Sequence, residues 1–108
     1  HFVKKTFHCG AIRYTNPVKS TVKTVAVCGG AGSFLLKDAI RAKADVFITG
    51  DFKYHEFFDA EEHLMIADIG HFESEQYTSE WLVAQLKKKF TNFAVRLTSV
   101  NTNPINYL

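Results

Sequence analysis

Two spacings of apolar residues alternate along the chain. Short, nearly continuous apolar runs at Ala11–Thr15, Thr21–Cys28, Ala44–Thr49, Leu64–Asp68 and Asn92–Leu97 predict strands. Between them lie segments with helical spacing. These are His1–His8, Ser33–Lys43 with Phe34, Leu35, Ala39 and Ile40 inward, a short helix within Asp51–Ala60, and a long helix from His71 to Phe90. In the long helix Tyr77, Trp81, Leu82, Leu86 and Phe90 form one stripe, which is expected to be buried. Cys9-Gly10 ends the first helix with glycine in the usual position past a helix end. Thr21–Cys28 is apolar enough at its far end to be a strand covered on both faces. The alternation of strand and helix predicts an α/β fold: a mostly parallel sheet of about five strands flanked by helices, with right-handed crossovers. The tail from Thr98 is expected to run extended. Its end in Ile105, Tyr107 and Leu108 suggests docking against something, such as another subunit.

Composition narrows the class. A chain of 108 residues suits a single α/β domain spanning 1–108. Hydrophobic residues at 46% are enough for one core. A net charge of +2 is too weak to argue for nucleic acid. The basic run Lys87-Lys88-Lys89 falls in the last turn of the long helix, where cations suit the negative helix end. Two cysteines, Cys9 and Cys28, make no disulfide framework and fit a reducing, cytoplasmic setting. No run is long and apolar enough to suggest a membrane helix. The chain opens at His1 on what reads as the end of an uncapped helix, so it is expected to be a piece of a longer protein.

Candidate chemistry gathers at the predicted strand ends. His71 and Glu75 are four apart, and on a helix they lie one above the other. Glu73 is about 200° round from His71 and faces elsewhere. An imidazole and a carboxylate side by side at the carboxyl end of a strand make half of a divalent-metal site. The plainer alternative is a solvated ion pair. Gly29, Gly30, Gly32 and Ser33 follow the second strand and could cradle an anion with backbone N–H groups. The run is neither GxGxxG nor a P-loop, and a tight corner that needs glycine explains it as well. Asp51, His55 and Asp59 recur at helical spacing. Asp51 reads as an N-cap or first-turn carboxylate. His55 is a candidate acid or base because imidazole titrates near neutrality. Asp59 and His63 read as surface residues. If the sheet is parallel, the glycine run, Asp51 and His55, and the His71–Glu75 pair converge on one rim.

Four blocks carry a resemblance: Val27–Ser33, Thr49–Ala60, Asp68–Glu75 and Asn101–Pro104. Together and in this order they resemble the carboxy-terminal half of the Nif-three-like family, also called GTP cyclohydrolase I type 2 homologues. The resemblance spans essentially the whole chain. It implies one half of a larger two-half α/β protein with a dinuclear divalent-metal site between the halves. His71 and Glu75 match the GHxxxE part of that site, with the carboxylate able to bridge two metals. The other ligands, a His-His pair and an Asp, would come from the amino-terminal half. The resemblance further implies two divalent ions, which one His and one carboxylate would suit as Zn, Fe, Mn or Co, a ring-like homo-oligomer, typically a hexamer, and hydrolysis of a nucleotide or phosphorylated substrate. Asp51 and His55 match a block lining the same cleft. The competing reading is a non-catalytic, metal-binding oligomeric scaffold. The 108-residue piece alone is expected to hold metal weakly and to be inactive by itself.

Overall fold

A computed structural model describes residues 1–108. At its centre is β3 (Val46–Gly50), buried along its whole length. It pairs in parallel with β2 (Val25–Ala31) on one side and with β4 (Met65–Asp68) on the other. A two-residue strand, β1 (Arg13–Tyr14), pairs antiparallel with β4, giving the order β1-β4-β3-β2. A 3-10 turn (Ser33–Leu35) and α2 (Leu36–Arg41) connect β2 to β3, and a 3-10 helix (Tyr54–Ala60) connects β3 to β4. The chain begins with α1 (Phe2–Thr6) and continues after β4 into α3 (His71–Glu75) and α4 (Thr78–Lys89).

Successive residues of β3 and β4 point to opposite faces, so two cores form. Phe47 and Ile66 meet Leu36, Ala39, Phe52 and Leu64 on one face. Val46, Ile48 and Ala67 meet Cys9 and Ile69 on the other, with Val3 and Phe7 of the first helical segment packed against them. Burying a side chain such as Ile66 or Phe47 contributes about 1.5–3 kcal/mol. Asp45 ties the start of β2 to the start of β3. It accepts hydrogen bonds from the Lys23 and Thr24 amides at 2.8 and 2.9 Å and pairs with Lys19. The Lys19 hydrogen bond and then these amides hold its carboxyl far below the usual range.

Several expectations change. The α/β class and the mostly parallel sheet are as expected, with four strands where about five were expected, since 92–97 has no regular structure and joins no strand. β2 is an edge strand rather than one covered on both faces, with Val25 and Val27 exposed. It also runs on through Gly29 and Gly30, with an irregular register between Val27 and Ala31. Leu36, rather than Phe34, fills the inward position of the first crossover, and Phe34 is exposed. The long helix is broken at Gln76 and Tyr77 into α3 and α4. Its apolar stripe is not buried: Trp81 is 61% exposed and α4 has no buried residue. The radius of gyration, 16.2 Å, exceeds the roughly 13 Å of a compact chain this long, and α4 stands off the sheet. The tail's Tyr107 docks on its own chain, where its hydroxyl donates to Glu73 Oε1 at 3.2 Å. No helix is long and apolar enough to cross a membrane.

Candidate functional site

The parallel strands β2, β3 and β4 end on one rim, and the loops that leave them meet there. The last residue of β4, Asp68, builds the corner. It is 4% exposed. Its Oδ2 accepts from the Phe52 amide at 3.1 Å and pairs with Arg13, while Oδ1 accepts from the Gly70 amide at 3.0 Å. One carboxylate therefore fixes the segment after β3 and the segment after β4. Gly50 makes their close approach possible: a Cβ there would lie 2.8 Å from the His71 backbone nitrogen.

His71 opens α3 and lies between two carboxylates. Its Nδ1 is 2.7 Å from Asp51 Oδ2, and its Nε2 is 3.2 Å from Glu75 Oε2. All three side chains are about half exposed. The Asp51 hydrogen bond, more than the charges of Asp51 and Glu75, raises the His71 pKa above its ordinary value against a smaller desolvation effect. Asp51 and Glu75 occupy opposite ends of the imidazole, so these three groups do not converge on one point, and no other cluster of three potential ligands forms. Nε2 and Oε2 can converge. Two donors each about 2.1 Å from a tetrahedral ion stand roughly 3.4 Å apart, close to the 3.2 Å observed. If the Nδ1 proton is donated to Asp51, Nε2 presents a lone pair to a carboxylate. Two acceptors at that separation need a cation between them, either a proton or a metal ion. The residues therefore suit a divalent ion as part of its ligand set. A complete set needs donors beyond these two.

The glycine run packs against this pair. Gly30 has φ +68, and a Cβ on it would lie 2.6 Å from Glu75 Oε1 and 3.2 Å from His71 Cε1. Its amide donates to Ser74 Oγ at 2.8 Å, and its carbonyl accepts from the Thr49 hydroxyl at 3.0 Å. The Ser33 hydroxyl donates to Glu56 Oε1 at 3.2 Å. The Gly30 amide and the Ser33 hydroxyl are thus engaged within the chain, and in this structure the run gives room to His71 and Glu75. Gly29 lies alongside, where a Cβ would meet Glu75 Cγ at 3.2 Å. At Gly32 a Cβ would strike the Thr49 hydroxyl.

Asp51 is not an N-cap. Lys53 precedes the 3-10 helix, and Asp51 has left-handed backbone, φ 59. A 3-10 helix repeats every three residues, so His55 and Asp59 do not share a face, and Asp51 lies before the helix altogether. His55 is exposed and makes no side-chain hydrogen bond, to His71 or to any other residue. An open cavity of about 630 Å³ lies beside the pair, lined by His71, Glu75, Leu82, Thr102, Asn103 and Ile105 among others.

Sequence reasoning missed Asp68 and Ser74, and it placed Glu73 away from His71 without finding its partners. Glu73 is 4% exposed, with Oε2 unpartnered and Oε1 accepting from Tyr107. Burial and then Glu73 raise the pKa values of both Tyr107 and Cys9. An acid ending a buried apolar strand was a visible signal for Asp68. Nothing in the sequence linked Ser74 to Gly30 or Glu73 to Tyr107.

The family described as Duf34/NIF3 (NGG1p interacting factor 3) matches residues 1–104. A Campylobacter jejuni protein named GTP cyclohydrolase 1 type 2 homolog is 35% identical over 108 residues, 98% of this chain and 42% of that protein. A Staphylococcus epidermidis protein of the same name is 36% identical over 111 residues, 98% of this chain and 30% of that protein. A solved structure, a hypothetical protein of Staphylococcus aureus, superposes with a TM-score of 0.83 at 27% identity, over 97% of this chain and 31% of that one. The chain spans less than half the length of these relatives.

Proposed function

Because the chain belongs to the Duf34/NIF3 family, we propose that His71 and Glu75 hold divalent metal in a hydrolase acting on a nucleotide or phosphorylated substrate. The observation that supports this most directly is the 3.2 Å approach of Nε2 to Oε2. The protein at its natural length binds two ions (Zn, Fe, Mn or Co) with ligands from outside this chain. It also assembles as a homo-oligomeric ring. Bound divalent ions supply Lewis acidity to a hydrolytic reaction. This chain's residues hold and orient. His71 and Glu75 offer one nitrogen and one carboxylate. Gly30 leaves the space they fill, and Ser74 ties Gly30 to the first turn of α3 by accepting from its amide and donating to the His71 carbonyl at 2.8 Å. His55 is the candidate proton carrier. The cavity beside the pair is the candidate place for the organic part of the substrate.

A second reading, a non-catalytic metal-binding scaffold, is favoured by the exposed apolar residues of α4, Trp81, Leu82 and Leu86. One preparation tests both. The natural-length protein is purified without chelator, and its metal is measured by elemental analysis beside His71→Ala and Glu75→Ala. Metal that is lost in both variants, together with metal-dependent turnover of nucleotides or phosphoesters, supports the hydrolase. Metal without turnover favours the scaffold. Equal metal in parent and variants overturns the site.

A further inference from the structure

We infer that Asp51 is a positioning residue: it fixes the ring of His71 with the proton on Nδ1, so that the lone pair of Nε2 faces Glu75. The inference deepens the metal reading and rests on it for its consequence. The Asp51 Oδ2 to His71 Nδ1 distance, 2.7 Å, is that of a charge-assisted hydrogen bond. Asp51 makes no other side-chain hydrogen bond. Its backbone adopts φ 59, a region that few residues other than glycine occupy. The position is rigid, because Gly50 lies against the His71 backbone and Asp68 pins the Phe52 and Gly70 amides on either side.

A stability role does not account for this arrangement. Both side chains are about half in water, where such a pair contributes little, and the backbone conformation has its own cost. What the pair does settle is which nitrogen is free. Neutral imidazole has two tautomers; a carboxylate stands at each nitrogen, Asp51 at 2.7 Å and Glu75 at 3.2 Å, and the shorter Asp51 contact selects the form protonated on Nδ1. The same arrangement keeps Asp51 out of the ligand set, because it lies at the far end of the ring from Glu75. Carboxylates that hold a ligating histidine in this way raise metal affinity 10–100-fold.

The test compares the natural-length protein with its Asp51→Asn variant, which keeps the size of the side chain and the tolerance for left-handed backbone. Asparagine can either accept from Nδ1 or donate to it, so tautomer selection is lost. In metal-free protein at about pH 9, where unperturbed imidazole is neutral, nitrogen NMR of the His71 ring reports the tautomer directly, with His71→Gln used for assignment. The expected result is Nδ1–H in the parent and a mixture, or Nε2–H, in Asp51→Asn. Titration with zinc is expected to show affinity 10–100-fold lower in the variant. Nε2–H in the parent, or the same tautomer in both proteins, overturns the inference. So does a tautomer change with unchanged zinc affinity. A tautomer change in a parent that binds no zinc upholds the role of Asp51 in orienting the ring and defeats the metal reading instead.

Discussion

Asp68 is the side chain on which the corner geometry depends, and its replacement has a calculable cost. In Asp68→Ala the Phe52 and Gly70 amides lose their acceptor. An amide left unsatisfied in a buried place costs about 1–3 kcal/mol. The Phe52 bond is buried and belongs at the upper end. The Gly70 bond is part-buried and belongs at the lower end. The Arg13 side chain is 59% exposed, so its charge returns to water and the lost ion pair adds less than about 1 kcal/mol. The sum is about 3–5 kcal/mol, a large share of the roughly 5–15 kcal/mol that holds a domain together. Asp68→Asn keeps one acceptor but turns an NH2 group towards a donor, and is expected to cost about 1–3 kcal/mol. Arg13→Ala, which also loses a bond to the Phe52 carbonyl, is expected to cost about 1 kcal/mol. Urea unfolding followed by far-ultraviolet circular dichroism measures all three. The expected order is Asp68→Ala, then Asp68→Asn, then Arg13→Ala. If Arg13→Ala costs as much as Asp68→Ala, the ion pair holds the corner, and the two amides do not.

Other outcomes follow from the same contacts. Gly30→Ala puts a Cβ 2.6 Å from Glu75 Oε1 on left-handed backbone; about 1–2 kcal/mol of stability is lost. Its metal content falls as far as in Glu75→Ala, whereas intact metal content refutes the packing role of the glycine run. His71 has a raised pKa in the fold. Its protonation therefore stabilises the metal-free protein fully below the ordinary value of about 6.5, and that contribution disappears as pH rises through the folded value. Urea midpoints of metal-free protein should fall over that window in the parent and not in His71→Gln. Metal affinity should move the opposite way and strengthen as pH rises, because metal competes with the proton. Cys9 is 5% exposed with its thiol pKa raised by burial, so native protein treated with iodoacetamide should be labelled first at Cys28, as read by peptide mass spectrometry. Equal labelling would show that the layer under α1 opens readily.

The sequence alone determined whatever depends on spacing along the chain. Apolar runs marked the buried strands Val46–Gly50 and Met65–Asp68, because a strand covered on both faces needs nearly every residue apolar. Four-residue spacing put His71 and Glu75 on one face of α3, and about 200° of rotation put Glu73 on the other, where it is buried. What depends on neighbours distant in sequence was illegible. Periodicity marked an apolar stripe on α4 and a strand at 92–97, but it could not tell whether the sheet would cover the one or pair with the other, and in the fold α4 has no buried residue and 92–97 joins no strand. Only the fold brought Asp51, 20 residues away, onto the Nδ1 of His71, and Gly30, 44 residues away, onto Ser74. The reason is topological. Parallel strands joined by crossovers deliver their ends to one rim whatever the sequence between them, so the partners of a side chain there are chosen by strand order and register. Helical spacing set His71 beside Glu75. The tertiary structure decided which nitrogen of His71 is left to face Glu75.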